Sequence, residues 1–296
     1  FISELHLNEK ELKTRSELYY LGFLEELDES KKINVDPKPL GEGTYGTVYK
    51  CTGQDKVLKE LNMPDEDEVG RINFIISFLK ETLIQYILSN CWRDSYGNLL
   101  YLSNREPRRI EGYKKKLAPS IYQIYQEDDG QKLCIVMEKL DKDVHDCANQ
   151  EMYINNLDES KRFLESIALD LKCIQNLCED GGYSHRDLKL DNIMFNEKED
   201  EYYLIDFGFS CFKCNGLQII NYDSIPDFKN AGCNNQSSDL VQLSYNIQDV
   251  YNELFPKEII DFCKKNCKIS IERDYKELDS RGINYNVPAA TAIRRH

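Results

Sequence analysis

This chain has no internal repeat, no low-complexity tract and no long apolar run, and each absence closes off a class of protein. Without a repeating unit, solenoid and propeller architectures are excluded. The longest strongly apolar stretch, Ile72 to Leu79, is broken by Asn73 and Ser77, whereas a bilayer takes about 20 apolar residues. No membrane span is expected. Positive charge is also scarce: Lys and Arg number 38 against 52 Asp and Glu, a formal net charge of -14. Such a surface repels a phosphodiester backbone, so nucleic acid is not expected as a partner. The 11 cysteines are odd in number and scattered from Cys51 to Cys267, without the dense, regular spacing of a secreted framework. That pattern predicts free thiols in a reducing compartment, hence an intracellular protein, cytoplasmic or nuclear. Cys211 and Cys214 have ligand-like spacing, but the other thiols lie in separate segments, so no structural zinc is expected.

What is present suffices for a folded enzyme. Hydrophobic residues make up 41% and charged ones 30% of 296 residues, ordinary globular usage in a chain long enough for two lobes. Residues 3 to 30 carry Leu18, Leu21, Leu24 and Leu27 at helical spacing and predict a helical preface. From Leu40 the texture changes to short alternating runs. Thr47 to Cys51 and Lys56 to Leu61 predict antiparallel strands, and Ile121 to Tyr125 with Leu133 to Met137 predict a hairpin. The sheet so outlined has about five strands. Pro64 and the acidic run Asp65 to Glu68 predict the start of a helix reaching Leu88. Residues 90 to 117 fit no regular pattern and read as an insertion whose basic residues, Arg105 to Lys116, form a solvated face. Beyond Lys139 helical texture dominates: Asp158 caps a helix with Phe163, Ile167, Leu171 and Ile174 on one face, ending at Gly181-Gly182.

Three stretches carry chemistry. Gly41-Glu42-Gly43-Thr44-Tyr45-Gly46 lies between strand-like runs, where glycines let backbone amides approach a phosphate chain; a merely flexible turn is the alternative. Lys59 stands inside the apolar run Val57-Leu58-Lys59 and needs an anion if it faces inward. Glu81, on the following helix, is the best partner, two unrelated surface charges being the other reading. His185-Arg186-Asp187-Leu188-Lys189-Leu190-Asp191-Asn192 is followed 14 positions after Asn192 by Asp206-Phe207-Gly208. Carboxylates beside a lysine and an amide are what Mg-nucleotide phosphoryl transfer requires, one group for the hydroxyl and others for metal and phosphate.

Taken in this order, the motifs resemble those of the eukaryotic-type serine/threonine protein kinases over roughly residues 38 to 255. The resemblance implies an α+β, bilobal fold: a small antiparallel-sheet N-lobe with one helix and a mainly helical, somewhat trimmed C-lobe. Its divisions are an N-terminal helical extension over 1–37, an N-lobe over 38–139 with the insertion 90–117, and a C-lobe over 140–296. It implies ATP and Mg2+ as cofactors and a protein substrate, with transfer of the γ-phosphate to Ser or Thr, and leaves the oligomeric state open. By the same resemblance Gly41, Gly43 and Gly46 cover the phosphates, and Lys59 holds them while paired with Glu81. Asp187 takes the substrate hydroxyl, Lys189 assists it, and Asn192 and Asp206 hold magnesium. Met137 would be the gatekeeper, Glu138 and Leu140 would offer backbone groups to adenine, and Val48, Val57 and Met194 would sandwich its ring. Asp239 resembles the helix carboxylate that braces the catalytic loop.

There are departures. Ile225-Pro226-Asp227 stands where the family has Ala-Pro-Glu, and Gln85 stands four residues after Glu81, where the family has an apolar residue. The tail is short, and in this the chain resembles kinases of large DNA viruses, which would place it in a host cell. Rival readings are a pseudokinase that only binds nucleotide and a small-molecule kinase. Between Phe209 and Ile225 the hydroxyls are Ser210, Tyr222 and Ser224, which predicts activity without phosphorylation of this segment.

Overall fold

A computed structural model describes residues 25–26, 33–43, 46–65, 68–100, 114–127, 131–179, 182–214, 217–220, 233 and 236–265. The alternating runs of the N-terminal half form β2 (Val35–Gly43), β3 (Gly46–Cys51), β4 (Lys56–Asn62), β8 (Ile121–Glu127) and β9 (Lys132–Glu138). They lie in one sheet, in the order β8-β9-β4-β3-β2, with every pair antiparallel. The interior strand β9 has Leu133, Cys134, Ile135 and Val136 all buried, because both sheet faces are covered. One face packs Leu61, Ile124, Leu133 and Ile135 with helical Phe78 and Leu79; the other gathers Cys51, Leu58, Tyr125, Cys134 and Val136.

A sixth strand falls within the expected helical extension, the rest of which up to residue 32 lies outside the described residues. Glu25–Glu26 (β1) pairs in parallel with Tyr125 and Gln126 at the edge of β8, and Val35 already belongs to β2. The edge of a sheet offers unpaired N–H and C=O groups, and pairing with them overrides a modest helical preference. Leu18, Leu21, Leu24 and Leu27 lie outside the described residues.

Among the described residues the one long N-lobe helix, α1 (Glu68–Ser89), follows Pro64 as its acidic start predicts. Its apolar side chains are divided between two cores. Phe78 and Leu79 join the sheet cluster, whereas Leu83, Ile84, Ile87 and Leu88 join the large C-lobe cluster with Phe163, Ile167, Leu171 and Phe207.

The insertion is more ordered than its sequence predicts. β5 (Trp92–Arg93), β6 (Leu99–Leu100) and β7 (Lys115–Lys116) form a three-stranded sheet, and Lys115 is buried rather than solvated. Arg105, Arg108 and Arg109 lie outside the described residues. The strands are two residues long, too short for a visible alternation, and Lys115 is buried because it meets a carboxylate.

The second half contains β10 (Lys142–Asp143), α2 (Val144–Asn149), α3 (Leu157–Gln175), β11 (Gly182–Ser184), β12 (Ile193–Asn196), β13 (Glu201–Leu204), β14 (Cys211–Cys214) and β15 (Leu217–Ile220). α4 (Gln236–Tyr245) follows, extended by a π-turn over Asn246–Val250, and then α5 (257–265). Asn156, not Asp158, caps α3 by accepting the Glu159 N–H at 3.1 Å. The helix ends at Gln175, and Gly182 begins β11 instead of stopping the helix. The six strands form two small sheets, β10-β12-β13 and β11-β14-β15, among the helices. No helix of the described residues is long and apolar enough to cross a membrane.

Four cysteines are paired, against the expectation of free thiols. Disulfides join Cys178 to Cys214 and Cys211 to Cys233, with Cα separations of 5.4 and 5.2 Å, inside the range a disulfide spans. Cys51, Cys91, Cys134, Cys147, Cys173 and Cys263 take part in no disulfide among the described residues. Sequence spacing hides the pairs: Cys211 and Cys214 lie on β14, whereas their partners stand 22 and 36 positions away, outside that sheet.

Candidate active site

The glycine-rich hairpin is built as a strand-turn-strand, with Gly41 opposite Val48 and Gly43 opposite Gly46. Gly41 and Gly46 have different reasons to be there. A Cβ on Gly41 would meet nothing within 4 Å, whereas one on Gly46 would lie 2.1 Å from the Glu60 carbonyl oxygen on β4. Gly46 therefore permits close approach of β3 to β4, while Gly41 leaves the face beside it open. Thr44 and Tyr45 lie outside the described residues.

Two registers place Lys59: Val48 is opposite Lys59 across β3 and β4, and Ile135 is opposite it across β9. Its Nζ donates to Glu81 Oε1 at 3.0 Å, with the two side chains 23% and 14% exposed. Burial pushes the ammonium toward neutrality, but the Glu81 and Asp206 carboxylates outweigh it and hold Lys59 above the ordinary lysine value. Asp206 adopts φ +59°, a left-handed backbone uncommon for a non-glycine residue, at the end of the chain leaving β13. A Cβ on Gly208 would lie 3.3 Å from Asp206 Oδ1 and 3.5 Å from Glu81 Oε2, so the Asp206-Phe207-Gly208 turn sits against the lysine–glutamate pair.

The second half of the site is the loop from His185 to Asn192. Lys189 Nζ donates to Asp187 Oδ2 at 3.0 Å, and Asn192 Nδ2 donates to the same oxygen and to the Asp187 carbonyl, both at 2.9 Å. Burial works against the charge of Lys189, but Asp187, Asp191 and Asp206 raise its pKa. The loop is gripped from behind by α4. Asp239, fully buried, accepts from the His185 N–H at 2.8 Å, the Arg186 N–H at 2.9 Å and the Ser184 hydroxyl at 3.1 Å. Burial pushes its carboxyl up, and those three donors oppose the rise. The sequence did not reveal two further contacts. Gln242 Oε1 accepts from the Leu188 N–H at 3.1 Å, and Asn246 Oδ1 accepts from the Leu190 N–H at 3.1 Å. Asp239, Gln242 and Asn246 are spaced i, i+3, i+7, so a polar stripe on an otherwise apolar-facing helix was the available signal.

The remaining predicted positions line the strands between the lobes. Val57 and Leu140 are buried, and Val48, Met137 and Met194 half-buried. The Glu138 N–H is committed to the Ser120 carbonyl at 2.9 Å and its side chain to Lys116 at 2.5 Å, so only its carbonyl is left for a ligand. Gln85 stands where the helix register predicts, beside Met137, and its Nε2 donates to the Pro119 carbonyl at 3.2 Å. The register is correct and the position is polar. Ser210 is fully buried, with its hydroxyl on the His185 carbonyl; Tyr222, Asp223, Ser224 and Ile225-Pro226-Asp227 lie outside the described residues.

An antiparallel-sheet lobe joined by one bridging helix to a lobe of helices and small sheets is the bilobal protein-kinase fold. A family model described as "Protein kinase domain" matches residues 105–225, which include the Asp187 loop and Asp206. A calcium-dependent protein kinase 3 of Plasmodium yoelii yoelii is 29% identical over 197 residues, covering 66% of this chain and 30% of its own length. A calcium-dependent protein kinase 7 of Oryza sativa subsp. japonica is 28% identical over 181 residues, covering 59% and 27%. A cyclin-dependent kinase-like 1 of Caenorhabditis elegans is 25% identical over 172 residues, covering 58% and 39%. The chain thus spans well under half the length of these relatives. Over these residues it is similar to eukaryotic-type protein kinases. The viral type suggested by the short tail gains no support from these matches.

Proposed function

We propose that the chain is an ATP-dependent protein kinase that transfers the γ-phosphate of Mg-ATP to Ser or Thr hydroxyls of protein substrates. The observation that carries this reading is the Lys59–Glu81 pair, closed at 3.0 Å with Asp206 beside it. A half-buried ammonium with two carboxylate neighbours is a preformed seat for a polyphosphate. In Asp187 the internal bonds converge on Oδ2, which leaves Oδ1, on a side chain 30% exposed, to accept the proton of a substrate hydroxyl. The hydroxyl oxygen then bonds to the γ-phosphorus as the bond to the β-phosphate oxygen breaks. Lys189, tied to Asp187, supplies positive charge beside the transferring group.

The donors fit magnesium. Asn192 turns its Nδ2 to Asp187, leaving its amide oxygen for a cation, and Asp206 supplies a carboxylate; these are the hard oxygen ligands that Mg2+ takes. When bound, the ion would neutralise phosphate charge. Val48, Val57 and Met194 supply the apolar walls for adenine, and the Glu138 carbonyl with the Leu140 backbone supplies its edge. Lys189, at the position typical of serine/threonine kinases, favours Ser and Thr over Tyr. The test is radiolabel transfer from Mg-[γ-32P]ATP to a panel of proteins by wild type, Asp187→Asn and Lys59→Met. Transfer is expected from wild type and to fall at least about a hundredfold in each variant. A wild-type protein that binds nucleotide without transfer would make it a pseudokinase.

A further inference from the structure

The insert between α1 and β8 has no part in the proposed phosphotransfer, yet it holds a concentration of buried charge. Asp170, on α3 and fully buried, accepts from Arg93 Nε of β5 through Oδ1 at 2.5 Å and from Lys115 Nζ of β7 through Oδ2 at 2.5 Å. Ser166, one turn earlier on α3, accepts from Arg93 and Lys115 at its hydroxyl, both at 3.1 Å. The three charged side chains are at most 2% exposed. At the far end of the insert Gly97 has φ +78°, and a Cβ there would lie 3.0 Å from Leu169 Cδ2 and 3.2 Å from its carbonyl oxygen. Lys172 donates to the Tyr96 carbonyl at 3.3 Å. Strand β5, strand β7 and the β5–β6 turn thus all rest on one face of α3.

Burying three charges is a poor way to gain stability, since apolar side chains of similar size serve as well or better. Its distinctive property is direction: each carboxylate oxygen takes a cation from a different strand, which fixes the insert in one place on α3. The insert in turn fixes α1, because only Asn90, Cys91 and Trp92 separate the end of that helix from Arg93. Glu81 lies two turns before that end, between the residues that pack on the sheet and those that pack on the C-lobe.

We infer that the insert is a built-in clamp between the lobes and that Asp170 is a positioning residue, holding α1 so that Glu81 stays on Lys59. The catalytic consequence rests on the kinase reading above; the mechanical one does not. The test uses the full chain. Amide hydrogen exchange over residues 81–89 is compared in wild type, Asp170→Asn and Lys115→Met at a temperature where each is folded, with kcat and KM for ATP measured alongside. Exchange over 81–89 is expected to accelerate about tenfold, and kcat to fall about tenfold while KM moves less than about threefold. In a Glu81→Gln background, Asp170→Asn is expected to cost less than about twofold, because its effect passes through Glu81. Asp170→Asn strips the anion from two buried cations. If that variant fails to fold, Lys115→Met, which leaves Arg93 and Asp170 one to one, carries both measurements. Unchanged exchange over 81–89 in folded Lys115→Met, or an undiminished loss of kcat without Glu81, overturns the proposal. If wild type transfers no phosphate, the kinase reading fails by itself and the exchange result alone decides the clamp.

Discussion

Replacing Asp239 tests whether α4 shapes the catalytic loop. In Asp239→Asn the amide keeps one acceptor oxygen, which can serve the Ser184 hydroxyl and the Arg186 N–H as Oδ1 does now. Its NH2 then faces the His185 N–H that Oδ2 accepts at 2.8 Å, so a buried donor meets a donor. Leaving one buried donor unsatisfied costs about 1–3 kcal/mol. At roughly 2–4 °C per kcal/mol for a chain of this size, the melting midpoint should fall by about 2–12 °C. Asp239→Ala abandons both backbone N–H groups and the hydroxyl, so a fall about twice as large is expected. Differential scanning calorimetry gives the midpoints, and phosphotransfer at a temperature where both variants are folded reports on Asp187, which follows Arg186 directly. An Asn variant melting within 1 °C of wild type, or an Ala variant no worse than Asn, would refute the reasoning.

Gly46→Ala forces a Cβ to within 2.1 Å of the Glu60 carbonyl and should cost about 1–3 kcal/mol or more, whereas Gly41→Ala finds open space and should leave the midpoint unchanged. Chemical denaturation of the two variants separates them, and equal midpoints would contradict the β3–β4 approach. Alkylation of unfolded, unreduced protein should modify four fewer cysteines than after reduction. Breaking the Cys211–Cys233 link, which closes a separation of 22 residues, should cost about 3 kcal/mol; full alkylation without reductant would restore the free-thiol expectation. Burial acts to raise the Glu159 pKa, but hydrogen bonds from Arg162 and Tyr202 outweigh it and hold the group below 4.5. A carboxyl depressed on folding stabilises above its unfolded pKa and loses that contribution as pH falls through the folded one. Wild type should therefore lose stability more steeply than Glu159→Gln below about pH 4.5, as equilibrium denaturation across pH 5 to 3 would show.

The site was legible where chemistry forces residue type. An ammonium in an apolar strand needs an anion, and Lys59 found Glu81 at the helix position its burial pattern suggested. The glycine hairpin, the Asp187 loop and the strands around Val57 and Leu133 were readable because alternation and glycine leave local marks. The rest depended on distant partners. Nothing near Lys115 shows that Asp170, 55 positions on, will draw it inside, so its three-lysine run looked solvated. Glu25–Glu26 pairs with the edge of β8, and Cys211 pairs with Cys233, 22 positions away, contacts that no local pattern marks.

The face that α4 turns to the catalytic loop touches mainly backbone: Asp239, Gln242 and Asn246 hold the N–H groups of His185, Arg186, Leu188 and Leu190. Shape and chemical content are therefore written in different places, the curve of the loop in a helix some 50 residues downstream and, in the function proposed here, its reactivity in Asp187, Lys189 and Asn192. In the proposed function, a single exchange at Asp187 silences the chemistry without loosening the mould. An enzyme built this way lies one substitution from a protein that keeps every contour of the site and performs none of its reaction.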